Sequence, residues 1–200
     1  MRILPSLLAA PTLKLYNAVE DLMLEGFDCF HIDMMDYHYT QNFGISLKAC
    51  EELLYHFPTI TLDVHLMTNP TPLHLIETLK DMGIKEISVH PNTLNPISTD
   101  LRLALSPNED INTTYRKLLF LTVNPGFSHQ KMQIGILEKA KIAKERGCNI
   151  TIDGGVNLET LDAVLDIKPD NVIIGGALFG KDREKLLVRL KDLLDSEPLS

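Results

Sequence analysis

Short runs of aliphatic and β-branched residues alternate along the chain with longer stretches whose apolar positions recur three and four apart. "RILPSLL" (2–8) reads as a first strand, and "TLKLYNAVEDLMLEG" (12–26) as a helix stopped by Gly26. "FDCFHIDMM" (27–35) is a second strand, with a helix around "SLKACEELLYHF" (46–57) behind it. "TITLDVHLM" (59–67) is a third strand, and its helix "TPLHLIETLKDMG" (71–83) has Pro72 near the start and Gly83 at the end. "KEISVH" (85–90), "LRLALS" (101–106) and "KLLFLTVN" (117–124) supply three more strands, and "QKMQIGILEKAKIAKERG" (130–147) the next helix. "NITID" (149–153) and "NVIIGG" (171–176) are the last strands, each followed by a helix, "NLETLDAVLDI" (157–167) and "REKLLVRLKDLLD" (183–195).

Strands alternating with helices imply a parallel sheet, and this many units imply a closed α/β architecture, the (β/α)8 TIM barrel. No linker or low-complexity stretch divides the chain, so a single domain over 1–200 is expected. The region from 93 to 116 fits least well. It is too short and too broken by prolines for two full helices, which predicts trimmed fourth and fifth outer helices; an incomplete sheet is the alternative.

In such a barrel the active site lies at the C-terminal ends of the strands. Unusual polar residues stand there: Ser6, His31 with Asp33, Asp63 with His65, His90, and Asp153. Residues two apart on a strand share a face, so His31 and Asp33 point one way, as do Asp63 and His65. If that way is inward, His31, Asp33, His65 and Asp153 form a four-ligand set for a divalent metal such as Zn²⁺, Mn²⁺ or Fe²⁺. A lone strand-end histidine is more often structural, but four such residues ending different strands favour a metal. Asp63 lies one layer deeper and reads as a partner orienting a ligand imidazole. His38, His56 and His74 fall in loops or helices and read as solvated, whereas His90 fits either the pocket rim or plain structure. Asp36 reads as fixing the loop that follows it.

Glycines mark a second device. "NPGFSHQ" (124–130), "DGGV" (153–156) and "IGGALFG" (174–180) follow three consecutive strands. Glycine lets the backbone approach an anion, and loops after the seventh and eighth strands are the recurrent phosphate position in these barrels.

Charge and composition narrow the partners. The formal charge is −8, which argues against nucleic acid or an anionic membrane and requires a local device to hold an anion. No apolar stretch approaches the ~20 residues that span a bilayer, and the first residues lack a secretory pattern. Cys29, Cys50 and Cys148 are odd in number and widely spaced, which fits reduced, buried thiols in a cytoplasmic protein.

"LPSLLAA", "FHIDMMDYHY", "LDVHLM", "LTVNPGF", "IDGGV" and "IGGALFG" occur in that order, and together they resemble the ribulose-phosphate 3-epimerase family of phosphate-binding barrels. The likeness runs from about residue 2 to 181 and is weakest from 93 to 116. It implies a divalent metal (Zn, Fe, Mn or Co) on His31, Asp33, His65 and Asp153, with Asp33 and Asp153 also serving as acid and base. It further implies Ser6 and His65 against the substrate and Met35 and Met67 beside the reacting carbons. Gly126, Phe127, Ser128, His129, Gly154, Gly155, Gly175 and Gly176 would hold the phosphate of a small sugar phosphate, in a homo-oligomer. The chemistry is consistent: a metal spreads the charge of an enediolate, and two carboxylates on opposite sides of a flat intermediate exchange the roles of base and acid.

The sequence departs from the family pattern in places. Tyr37 replaces a usual Gly, the "NFG" loop (42–44) is short, and Leu121 stands where a third methionine is expected. Ser128 and His129 replace two glycines, so a positive φ at either carries strain, and Gly176 stands where a serine is common. These bear on substrate and phosphate affinity more than on reaction class. The expected activity is a metal-dependent 3-epimerase acting on D-ribulose 5-phosphate; the alternatives are the same chemistry on D-allulose 6-phosphate and a non-catalytic sugar-phosphate-binding barrel.

Overall fold

A computed structural model describes residues 1–91, 93, 98–111 and 114–196. The strands are β1 (Arg2–Pro5), β2 (Cys29–Met35), β3 (Thr61–Met67), β4 (Glu86–Val89), β5 (Arg102–Leu105), β6 (Lys117–Leu121), β7 (Asn149–Asp153) and β8 (Asn171–Ile174). All pair in parallel in one eight-stranded sheet, ordered β1-β8-β7-β6-β5-β4-β3-β2. The two edges, β1 and β2, meet through one parallel bridge between Ser6 and His31, which closes the sheet into a (β/α)8 TIM barrel.

Among the described residues, six α-helices lie outside it: α1 (Leu15–Leu24), α2 (Leu47–His56), α3 (Leu73–Asp81), α4 (Gly135–Glu145), α5 (Leu161–Leu165) and α6 (Arg183–Ser196). Among the described residues, turns alone connect β4 to β5 and β5 to β6, so the fourth and fifth outer helices are trimmed as the prolines of that region suggest. Each helix buries one stripe on the sheet's outer face: Val19 and Leu22 from α1, Cys50 and Leu53 from α2, Ile76 and Leu79 from α3. Burying a leucine or isoleucine in this way contributes about 1.5–3 kcal/mol. α1 ends in a Schellman turn, with Phe27 N–H donating to Leu22 C=O and Gly26 N–H to Met23 C=O. The same pair of bonds recurs at Gly83 and Gly147, so three helices hand the chain to the next strand through one device.

Several elements are shorter than the apolar pattern suggests. β1 stops at Pro5, and a 3₁₀ turn (Leu7–Ala9) follows. β6 stops at Leu121 because Thr122 turns to β7: its N–H donates to the Asp153 carbonyl at 2.8 Å. α4 begins only at Gly135, since Gln133 N–H donates back to the Thr122 carbonyl at 2.7 Å and holds the preceding residues as a loop. α5 keeps only its buried centre, because the Asn157 side chain accepts from the N–H groups of Glu159 and Thr160 and makes a turn of the start.

Inside the barrel, alternate residues point to the axis. Leu4, Cys29, Ala104, Leu119, Leu121 and Ile173 form an apolar layer distinct from the outer core. In the same inward rows stand His31, Asp33, Asp63, His65, Ser88, His90 and Arg102, all buried. Cys29, Cys50 and Cys148 are unpaired and buried, and burial pushes the Cys50 thiol up to about 12, so it is unreactive.

Candidate active site

β2 and β3 run in register, with His31 beside Asp63 and Asp33 beside His65. Two strands of period two thus place two imidazoles and two carboxylates on one inner wall, and β7 adds Asp153 at its C-terminal end. One ligand atom each from His31, Asp33, His65 and Asp153 lies within 4.8 Å of the others. His31 Nε2 stands 3.3 Å from Asp33 Oδ1 and 3.9 Å from Asp153 Oδ2, and His65 Nδ1 stands 3.3 Å from Asp33 Oδ1. Both histidines are fully buried, whereas Asp153 keeps 15 % of its side-chain exposure and is the more open carboxylate.

The donor set suits a cation. His31 Nδ1–H donates to Asp63 Oδ1 at 2.7 Å, which leaves the opposite nitrogen, Nε2, to face the two carboxylates. That Nε2 is buried with no hydrogen-bond partner among the described residues, a polar atom that a first-row divalent metal would satisfy. Asp63 is therefore the orienting partner of His31. Its other oxygen accepts from the buried Arg102 Nη2 at 2.7 Å, and Arg102 also reaches Glu86 at 3.0 Å and Ser88 at 3.3 Å. His65 has a different partner: its Nε2 lies 2.9 Å from His90 Nε2, so His90 belongs behind the site and not on its rim. His90 Nδ1 in turn lies 3.9 Å from Glu109, whose carboxylate accepts from Ser106 N–H.

The charges are strongly coupled. Burial works against a charged His31, but Asp33 and Asp63 on either side raise its pKa well above the ordinary value. Burial alone would raise Asp33 and Asp63 as well. His31 with His65 in one case, and Arg102 with His31 in the other, hold both carboxyls below their usual range. Burial pushes His65 down to about 4, so it is a neutral imidazole. Asp153 goes the other way. Burial raises it to about 7, and repulsion from Asp33 and Asp63 adds to this against the pull of His31. One carboxyl is thus held ionised and the other is poised near neutrality.

A cleft opens above these residues, lined by Ser6, Asp33, Met67 and Asp153 on one side. Gly126, Phe127, Ser128, His129, Gly154, Gly155, Gly175 and Gly176 line the other. Ser6 Oγ donates to Asp33 Oδ2 at 3.3 Å. Met35 does not line this cleft; its sulfur faces Thr40 Oγ1 at 3.8 Å. Asp36 caps the loop after β2, accepting from His38, Tyr39 and Asn69 N–H groups. His38, His56 and His74 are exposed. The strain expected at Ser128 or His129 falls on His129, with φ 63°.

Arg102 and Glu109 carry no motif and were not legible as site-supporting residues; Thr122 lies in "LTVNPGF", but its hydrogen bond to the Asp153 carbonyl was not legible there. For Arg102 a signal exists: a lone charge inside the apolar run "LRLALS" must be paired if that run is a barrel strand.

An eight-stranded parallel barrel with a two-histidine, two-aspartate centre and glycine loops at its mouth defines a TIM barrel with a candidate metal centre. The family model described as the ribulose-phosphate 3 epimerase family matches residues 2–107 and 100–179. A ribulose-phosphate 3-epimerase of Bacillus subtilis is 30 % identical over 215 residues, covering 96 % of this chain and 98 % of its own. One of Treponema pallidum is 32 % identical over 209 residues, covering 92 % and 94 %. In structure, 3-hexulose-6-phosphate synthase of Salmonella typhimurium superposes with a TM-score of 0.69 at 15 % identity, covering 98 % of this chain and 100 % of its own. The chain belongs to the ribulose-phosphate 3-epimerase family, a family of isomerases. Among the described residues, no helix is long and apolar enough to cross a membrane.

Proposed function

We propose that the protein is a metal-dependent 3-epimerase that interconverts D-ribulose 5-phosphate and D-xylulose 5-phosphate. The observation that carries this reading is the convergence of His31, Asp33, His65 and Asp153, whose ligand atoms lie within 4.8 Å of one another beneath a glycine-lined cleft. His31 Nε2, His65 Nδ1 and one oxygen from each aspartate would hold the metal, and a cation there supplies Lewis-acid charge to the ketone oxygen.

The remaining work falls to the chain. Asp33 on β2 and Asp153 on β7 are separated around the barrel by β1 and β8, so their free oxygens reach a planar intermediate from different directions. One takes the carbon-3 proton and the other returns a proton from the opposite side; the direction of reaction decides which. Met67, in the same cleft, offers the flat intermediate a polarisable sulfur that carries no proton. The glycine loops after β6, β7 and β8 receive the phosphate, which sets the distance from anion to reacting carbon.

The test is incubation of purified protein with D-ribulose 5-phosphate in D₂O. Deuterium at carbon 3 and formation of D-xylulose 5-phosphate are expected, and Asp153→Asn should remove both while the protein stays folded. Retention of the carbon-3 proton by the wild type would reject the reading. Faster exchange into D-allulose 6-phosphate would reassign the substrate but keep the chemistry.

A further inference from the structure

The cleft poses an electrostatic difficulty for an anion. It contains two carboxylates, Asp33 and Asp153, and no lysine or arginine lines it among the described residues. Among the described residues, His129 is the one imidazole that lines it. His129 also borders an adjoining cavity of about 270 Å³, together with Gln130, Lys131, Gly155, Asn157 and Gly176. His129 is exposed at the mouth, where its ring can meet a ligand. Its backbone sits at φ 63°, a left-handed conformation that costs a non-glycine residue about 1 kcal/mol or more. Gln130 closes the loop around it, its Nε2 donating to the Asn124 and Phe127 carbonyls at 2.7 and 2.8 Å, so the left-handed residue aims its ring at a fixed place beside the cleft.

The ring has a specific neighbour. A Cβ built on Gly176 would lie 2.6 Å from His129 Nδ1 and 2.9 Å from Cε1, closer than side-chain atoms tolerate. A side chain at 176 and the imidazole of 129 therefore compete for one volume beside the cleft. The two sequence departures at these positions, a histidine where the family pattern has glycine and a glycine where serine is common, are in contact and are best read as one exchange.

We propose that His129 supplies the side-chain contact to the phosphate monoester of the substrate, from the space that a residue at 176 would otherwise fill, and that His129 and Gly176 form one coupled specificity element. This rests on the sugar-phosphate reading of the cleft. The donor then belongs to the loop after β6, and the glycine of the loop after β8 leaves it room. An imidazole reaches further from its own backbone than a hydroxyl does and brings an N–H to an anion beside the glycine loops.

The test compares wild type, His129→Gly, Gly176→Ser and the double variant. Isothermal titration with inorganic phosphate gives Kd, kinetics with D-ribulose 5-phosphate give KM and kcat, and thermal unfolding gives Tm. His129→Gly is expected to raise the phosphate Kd and KM about tenfold, roughly the worth of one hydrogen bond to a charged group. Its Tm should stay level or rise, because glycine accepts φ 63° freely. A purely structural role for the ring predicts the reverse: lower Tm and unchanged Kd. Gly176→Ser alone should lose phosphate affinity and Tm, and adding His129→Gly should restore both toward wild type. Simple additivity of the two substitutions, wild-type phosphate affinity in His129→Gly, or no phosphate binding by wild-type protein would each overturn the proposal. Histidine-dependent phosphate binding without turnover would instead reject the epimerase reading and leave this one standing.

Discussion

Asp63 is the residue on which the centre is hung. It accepts from His31 Nδ1 and from Arg102 at 2.7 Å each, so one carboxylate fixes an imidazole tautomer and neutralises a buried guanidinium. Asp63→Asn is expected to cost about 3 kcal/mol of stability, because removing one partner of a buried pair leaves the other charge uncompensated; urea denaturation measures it. His90 acts at one remove, through His65. His90→Ala should weaken metal affinity about 10- to 100-fold, the usual cost of losing the group behind a ligand histidine, read by competition with a chromogenic chelator. The protonation states carry a further expectation. Metal binds the deprotonated ligands, while Asp153 near 7 and His31, raised well above its ordinary value, hold protons at neutral pH. Affinity should therefore fall as pH drops from 7 towards 5, and binding should release protons. Calorimetry in buffers of different ionisation enthalpy counts those protons.

At the scale of elements, the loop after β2 sets the position of Asp33. Gly44 packs so closely on that strand that an added Cβ would run into the Asp33 carbonyl oxygen, while Ile45 N–H donates to the same oxygen at 2.8 Å. Gly44→Ala should push the end of β2 and lower turnover at least tenfold with little change in helix content, which steady-state kinetics and circular dichroism separate. That contact is long-range, so the "NFG" tripeptide gave no hint of it. What periodicity could show was the alternation of elements and the inward pairing of His31 with Asp33 and of Asp63 with His65, because both follow from repeats of 3.6 and 2. It could not show that Asp63 serves His31 while His90 serves His65, since register between strands depends on the closed barrel. The ends of β6, α4 and α5 were overrun for a related reason: Thr122 and Asn157 redirect the chain by local hydrogen bonds that hydropathy does not record.

For the whole molecule, the sheet is joined unevenly. β2 and β3 pair over seven residues, from Cys29 with Thr61 to Met35 with Met67, whereas β1 and β2 share the single bridge at Ser6 and His31. The barrel therefore has a seam, and the seam passes through the candidate centre. A cation held by His31 and Asp33 on one lip and by Asp153 beyond β1 and β8 would clasp that seam from inside, as a rivet holds a hoop. Loading with Zn²⁺ or Mn²⁺ should raise Tm, with chelation reversing the gain, and should slow amide exchange most at Ser6 and His31. Catalytic competence and mechanical integrity would then fail together: a barrel stripped of its ion would gape first where it works.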